Sequence, residues 1–555
     1  MLLQRLVEFH DRMKSELVPP HHKPRDIHCI VDLSRQGEFR GFVRTGGDEK
    51  PLKKPAPYRK RTSGITPYLL VDRPDYALGV AQEGKEDRTR KCHRAFIELM
   101  KEVAEKCEVP ELDAIICFLE DQADEALSQL PDTVASQHLV TFTVDGIYPI
   151  ELPEVQRAWI EIRNSQGKES SSRTGTCMIC ENERPIAKRM PVEQRLGPDQ
   201  APLITANKSA FQSYGQDASE VASLCLACAQ KFGMALSYLR KSERHRYTTG
   251  SVVHLFWTRE PHGFSPVSFL NDAESQDVRE LLQSPHKGKD PAGITEDAFY
   301  ALSVEGARKR MVVRNWIETT VPQVKDNLCD YFTFQRMVGT EGEDSYYPLK
   351  VLAFSLARDN RSIPVQAEDA LLACAIQGSP MPTQVLHQAI TRARADSENR
   401  MTRPRAALIR LVFESQRSHG LIPEDSEVTA ELNTENRNPA YLCGRLLAVL
   451  ERIQNLAIGP KTTIVDRYFG TASSAPATVF GKLMRGAQNH LGKLRKEKKG
   501  AYHGLDRQLQ EICTELPEFP RTLSLQEQAL FSLGYYQQKA SDRRQAAERR
   551  EAKND

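Results

Sequence analysis

The chain has 555 residues, too many for one hydrophobic core, so roughly two to four domains are expected. Lys and Arg (76) nearly balance Asp and Glu (74), for a formal charge of +2; this argues against a protein that coats nucleic acid nonspecifically and leaves room for local basic patches. The apolar fraction of 40% suits globular packing, and apolar runs such as "AIICFL" (114–119) fall far short of the ~20 residues of a membrane span.

The opening "MLLQRLVEFHDRMKSEL" puts Leu2, Leu3, Leu6, Met13 and Leu17 on one helical face. Arg5, Glu8 and Asp11 interrupt any signal-peptide core. The chain is therefore expected in the cytoplasm, with its 12 cysteines as thiols or metal ligands rather than disulfides. Strands are expected at "DIHCIVDLS" (26–34), "HLVTFTVDG" (138–146), "AWIEIR" (158–163) and "SVVHLFWT" (251–258), and a helix at 90–107. The Pro-rich stretch 48–64 reads as a basic loop, with Lys50, Lys53, Lys54, Arg59, Lys60 and Arg61 around Tyr58. Such a loop is either a solvated surface or a contact for phosphate and groove. A second flexible stretch is expected at 163–176.

"TGTCMIC" and "SLCLACAQ" place Cys177, Cys180, Cys225 and Cys228 in two Cys-x-x-Cys knuckles. Each knuckle aims two sulfurs at one point, and two supply the four soft ligands that Zn²⁺ takes at tetrahedral corners. Four cysteines leave no open position, the pattern of a structural ion that pins the polar excursion between them. The alternatives are four unliganded thiols or a redox pair; neither knuckle is expected to open a helix in a βαβ unit.

After about Val321 strand signals fade. Helices are expected at 368–377, 382–394, 405–417 and 440–458, with an amphipathic helix fraying into a charged tail at the end. "KLMRGAQNHLGKLRKEKKG" (482–500) has helical spacing and seven Lys or Arg against one Glu. Its Arg485, Lys493, Arg495 and Lys496 mark either a solvated face or a track for single-stranded nucleic acid. His21 and His22 read as a turn, and His254 as a packed core histidine. No Gly-rich phosphate loop, His-Glu-x-x-His or Gly-x-Ser-x-Gly is present.

The segments "LLQRLVEFHDRM", "RKRTSGITPYLLVDRPDYALGVA" (59–81), "CMICENERPIAKRM", "KSAFQSYG" (208–215) and "FYALSVEGARKRMVVRNW" (299–316) are followed by a C-terminal block. That block comprises "NPAYLCGRLLAVLERIQNLAIG" (438–459), "TTIVDRYFGTASSAPATVF" (462–480) and "LSLQEQALFSLGYYQQK" (523–539). In order along nearly the whole chain, these resemble the Csd-type large subunit of the subtype I-C CRISPR surveillance complex, Cascade. The sequence departs after "SYG", where the family more often reads Asn-Ala-Pro-Val-Ser.

The resemblance implies a non-catalytic subunit that recognises the protospacer-adjacent motif in target double-stranded DNA, helps R-loop formation and helps recruit the helicase-nuclease. Implied partners are the backbone subunits, the subunit at the crRNA 5′ end, the crRNA, the target duplex and its displaced strand. A small subunit made from the C-terminal region of the same gene is also implied, in a prokaryotic cytoplasm and without a membrane. On residue type and family position, Lys53, Lys54, Arg59, Lys60, Arg61, Thr62 and Ser63 are expected at the duplex with Asn207, Lys208, Ser213 and Tyr214. The expected fold is an α+β N-terminal region with a zinc-clamped insertion, then an all-α C-terminal bundle. Its expected divisions are 1–165 (α/β with the basic loop), 166–250 (zinc-knuckle insertion), 251–320 (remainder of the α/β region), 321–430 (helical linker) and 431–555 (small-subunit-like bundle). The alternative is a zinc-stabilised nucleic-acid-processing enzyme with an active site not visible in the sequence.

Overall fold

The computed structural model describes residues 2–13, 17–45, 52–57, 64–81, 84–165, 174–187, 190, 195–196, 201–204, 210, 212, 221–260, 263–273, 276–283, 297–307, 310–339, 343–359, 362–396, 400–459 and 463–554. Contacts divide the chain into two units: Met1–Ser242 with Ser303–Trp316, and Glu243–Leu302 with Ile317–Asp555. No helix among the described residues is long and apolar enough to cross a membrane.

The first unit opens with α1 (Leu2–Arg12), β1 (His22–Ile27), β2 (Cys29–Leu33), β3 (Phe39–Arg44) and β4 (Leu52–Pro57). β2 is the middle strand of a three-stranded sheet, antiparallel to β3 and parallel to β5 (Val140–Val144). A parallel pair needs a long crossover. Here it contains α2 (Pro74–Ala77), α3 (Glu86–Ala104), α4 (Pro110–Asp121) and α5 (Ala123–Ala126). Cys92, Phe96, Met100 and Val103 recur at helical spacing on α3. They share one core with Ile115 and Phe118 of α4 and Cys29, Val31 and Phe142 of the sheet.

Two local expectations are corrected. Within the segment read as a loop (48–64), residues 52–57 form β4, which pairs antiparallel with β1, Pro24 opposite Pro55; 48–51 and 58–63 lie outside the described residues. A two-stranded ribbon leaves one edge of each strand unpaired, so a missing proline N–H is tolerated there. The strand expected at 158–163 is part of helix α6 (Pro153–Ser165). Val155, Ala158, Trp159 and Ile162 are buried at helical spacing, and proline at the first helical position suits a helix start. Short antiparallel pairs follow, β6 (Thr174–Thr176) with β7 (Glu183–Pro185) and β8 (Arg195–Leu196) with β9 (Ala201–Pro202). Then α7 (Leu226–Lys241) packs on α1.

The second unit holds β10 (Arg246–Thr249), β11 (Val252–Thr258), α8 (Pro266–Asn271) and α9 (Gln276–Gln283). Next come β12 (Ala298–Ala307) and β13 (Arg310–Thr320), of which Ala298–Leu302 and Ile317–Thr320 belong to this unit and the segment Ser303–Trp316 to the first; the strand order is β10-β11-β12-β13. His254 of β11 is buried as expected; its Nε2 lies 2.7 Å from the Thr249 hydroxyl, which donates to Asp369 at 2.6 Å. Then come α10 (Val321–Gln335), β14 (Met337–Val338), β15 (Asp344–Ser345), α11 (Leu349–Phe354), α12 (Val365–Gln377), α13 (Thr383–Ala395) and α14 (Arg403–Ser418). The remainder is α15 (Pro439–Ile458), α16 (Ile464–Ala472), α17 (Phe480–Glu497), α18 (Lys499–Thr514) and α19 (Leu525–Asn554). The chain is thus an α+β region followed by an all-helical C-terminal region, as expected.

α14 is buried on every side from 405 to 416, so its charges need internal partners. The Arg410 guanidinium donates to the carbonyls of Val428 (2.7 Å), Thr333 (2.6 Å) and Phe334 (2.9 Å). The last two end α10, where carbonyls lack helical donors. Glu414 accepts from the Val428 N–H at 2.8 Å. α15 starts at an Asn438 cap whose side chain accepts from the Ala440 and Tyr441 N–H groups. α19 belongs to two cores: Ala529 and Leu533 pack with α13 and α14, whereas Phe531 and Tyr535 pack with α15 and α16.

Candidate metal centre and nucleic-acid surfaces

The two knuckles are built by different local structures. Cys177 follows β6, and its knuckle closes where the Glu181 N–H donates to the Cys177 carbonyl at 2.9 Å. Glu181 adopts a left-handed φ of 58° that turns the chain back into β7. Cys225 is the N-cap of α7, and Cys228 lies in its first turn. The second knuckle therefore does open a helix, though outside any βαβ unit. A bridge between Ile186 and Cys225 and the bond from the Met178 N–H to the Ser223 carbonyl (2.9 Å) join the two turns.

The four sulfurs lie within 4.8 Å of one another, and those of Cys180 and Cys225 are 3.9 Å apart. Metal–thiolate bonds of ~2.3 Å place the sulfurs of a tetrahedron roughly 3.8 Å apart, so the cluster fits one four-coordinate ion. It is the one group of three or more metal-ligating side chains found among the described residues. Hydrogen bonds from Cys225 and Cys228 hold the Cys177 thiol far below its usual pKa. Bonding to Cys177 pushes Cys225 up to about 11 and raises Cys228 as well. The cluster thus favours the thiolate form at Cys177, the form a metal requires.

Of the residues expected at a duplex, Lys53 and Lys54 lie on β4. Lys53 is 72% exposed, 3.9 Å from Asp26; Lys54 is largely buried, paired with Glu151 at 3.0 Å and 4.0 Å over the Tyr148 ring. Lys53 is therefore available to a partner, whereas Lys54 serves the fold. Arg59, Lys60, Arg61, Thr62, Ser63, Asn207, Lys208, Ser213 and Tyr214 lie outside the described residues.

On α17, Leu483, Ala487, Leu491 and Leu494 are buried, and Arg485, Lys493, Arg495 and Lys496 are exposed. Arg485, Asn489, Lys493 and Lys496 follow one another at helical spacing on a single face. Lys493 is 4.0 Å from Glu497. The sequence reading missed Tyr468 of α16, which carries Arg467 at 5.5 Å and Lys482 at 5.7 Å from its ring centre. The signal available was the Arg-Tyr pair in "DRYF", close to the basic helix.

Against known families, the model described as CRISPR-associated protein (Cas_Csd1) matches residues 4–542. No curated protein matches the chain. The matched span contains the four-cysteine cluster and nearly all of the α+β first half and the helical second half, and the chain belongs to the Cas_Csd1 family of CRISPR-associated proteins, the large subunits of type I-C Cascade.

Proposed function

We propose that this subunit reads the protospacer-adjacent motif in target duplex DNA, helps R-loop formation and helps recruit the helicase-nuclease, without cleaving nucleic acid itself. The observation that carries the reading is the family match over residues 4–542. Exposed Lys53 lies on β4, which leads directly into the segment 59–63. Lys60 and Arg61 contact phosphates, while the Asn207, Ser213 and Tyr214 side chains probe base edges and Lys208 adds a phosphate contact. The ion held by Cys177, Cys180, Cys225 and Cys228 is zinc in a structural role, fixing both ends of the excursion that bears Asn207. The basic face of α17 tracks the displaced strand, with Tyr468 as a stacking surface. Residues 431–555 are also produced separately as the small subunit, a fragment of about 120 to 155 residues by its domain boundary. The other partners are the backbone subunits, the crRNA and its 5′-end subunit, in the cytoplasm.

Binding to duplexes that carry correct and incorrect flanking motifs, measured across salt, tests this. Lys60→Ala with Arg61→Ala weakens binding to all duplexes and lowers the salt slope by roughly 2. Asn207→Ala relaxes discrimination at the motif. If that variant discriminates as wild type does, its assignment is wrong; if wild type shows no motif preference at all, the whole reading falls. Intact mass measurement of the purified assembly tests the small subunit, and finding full-length chain alone removes it.

A further inference from the structure

A cavity of about 880 Å³ opens in the first unit between β1, the segment leading into α2, the start of α3 and the approach to β5. Arg25, Arg73 and Arg88 line it against one carboxylate, Asp26, with His28, Tyr68 and Tyr76 among the remaining wall. Asp26 lies 3.9 Å from Lys53 and Arg73 pairs with Asp75 at 3.1 Å. The buried Asp72 carboxylate accepts from the N–H groups of Tyr68 (2.8 Å) and Arg73 (2.7 Å), which fixes the turn that carries both.

His28 adds a donor of fixed orientation. The Leu139 N–H donates to His28 Nδ1 at 3.2 Å, so the His28 ring proton sits on Nε2. His138 is fixed the same way by the Ala135 N–H at 3.0 Å, and the two rings stack at 4.2 Å. Burial and the neighbouring His138 lower the His28 pKa, and a second ring proton would have to displace the Leu139 bond. The Leu139 bond therefore leaves His28 Nε2–H as the outward-facing donor.

We propose that this cavity binds the phosphoryl group of a nucleotide, with Arg25, Arg73 and Arg88 on its oxygens and His28 Nε2–H as a further donor. Guanidinium forks match phosphate oxygens in geometry. Three guanidinium groups converge on the wall, one of them shared with Asp75, and such a cluster suits an anion with several oxygens such as a terminal phosphate. The volume falls in the range of roughly 300–1,000 Å³ typical of small-molecule sites, which leaves room for more than the phosphoryl group. The inference goes beyond motif recognition and does not depend on it, since selectivity for a phosphoryl group can be present or absent whichever flanking sequence is read.

The test titrates the full-length protein at low ionic strength with 5′-AMP and with one short single strand bearing either a 5′-phosphate or a 5′-hydroxyl. The phosphorylated strand is expected to bind about tenfold tighter than its hydroxyl twin. Arg25→Ala with Arg88→Glu should abolish that preference. His28→Asn, which keeps an acceptor for the Leu139 N–H but loses the outer donor, should reduce it about threefold, and His28→Gln should retain it. Binding of 5′-AMP identifies free nucleotide as a source, and binding of the phosphorylated strand alone identifies a nucleic-acid end. Equal affinity for both strands without binding of 5′-AMP overturns the proposal. So does a phosphate preference that survives in the double variant, or in Arg88→Ala alone with the melting behaviour of wild type.

Discussion

α15 and α19 cross at two glycines. A methyl group added at Gly444 would land on the Phe531 carbonyl oxygen, with the carbonyl carbon 2.8 Å and the Tyr535 nitrogen 2.9 Å away. One added at Gly534 would meet the Tyr441 carbonyl oxygen, with its carbonyl carbon and ring Cδ2 each 3.1 Å away. The obstacles are mostly helix backbone, so the helices must part by about 1 Å, and such overpacking costs ~1–3 kcal/mol. The same crossing carries buried bonds from Tyr441 to Gln537 (2.6 Å), Arg445 to Gln538 (3.1 Å) and Tyr535 to Glu451 (2.8 Å). Stretching them adds about 1 kcal/mol or more, while alanine's helical preference over glycine offsets about 1 kcal/mol. Gly444→Ala should therefore destabilise the second unit by ~1–3 kcal/mol. Gly486→Ala in the interior of α17 makes the same chemical change with no atom within 4 Å, and should stabilise by about 1 kcal/mol. Hydrogen exchange of α15, α17 and α19 peptides, with urea unfolding of the full chain, reads both signs. A Gly444→Ala chain whose α15 protection equals or exceeds wild type would refute the reasoning. The double Gly444→Ala, Gly534→Ala chain should lose less than the two single losses together, because the first methyl already parts the helices.

Three further outcomes are expected. Metal analysis of protein purified without added zinc should find about one equivalent per chain; less than ~0.2 equivalents with normal folding excludes the site, and Cys228→Ser should raise protease sensitivity around 174–228 while leaving α14 and α15 protected. His22 and His254 have pKa values lowered to about 4 from 6.5, chiefly by burial. The unfolded chain binds protons there that the folded chain does not, so stability present at neutral pH is lost as pH falls from 6.5 through 4, by on the order of 3 kcal/mol per histidine. His254→Gln should flatten the second unit's share, and an unchanged stability–pH profile argues against it. Arg410→Met removes the side-chain donor from the Val428, Thr333 and Phe334 carbonyls, of which Thr333 keeps the Arg336 N–H at 3.3 Å, and should cost the second unit ~2–4 kcal/mol in denaturant unfolding; a loss under about 1 kcal/mol would show that the guanidinium is dispensable.

Some of this architecture was legible before any coordinates. The Cys-x-x-Cys spacing located the metal cluster, because ligand number and turn geometry are local properties. The long helices α14 and α15 were legible because their apolar periods run well past two turns. "AWIEIR" was misread because six residues cannot separate a period of two from one of 3.6; the deciding residue, Val155, lies outside that window. The Pro-rich segment was misread because proline forbids only the paired edge of a strand, and which edge is paired depends on β1, some 30 residues away. The arginine cavity had no sequence signal at all, since Arg25, Arg73 and Arg88 come together only through the crossover that carries α2 and α3.

α19 works as a party wall, with a different room on each side. In the full-length chain its Ala529–Leu533 side is sealed by α13 and α14, which precede the proposed start at 431. A chain begun near Glu431 keeps the room built on Phe531 and Tyr535 but has nothing against the other side, with Tyr536 and Leu525 widening the bare strip. Such a fragment is adhesive along one flank by construction, whereas the full-length chain has spent that flank on itself. A separately produced fragment of that kind would have this flank left to meet a neighbour, whereas the full-length chain would not.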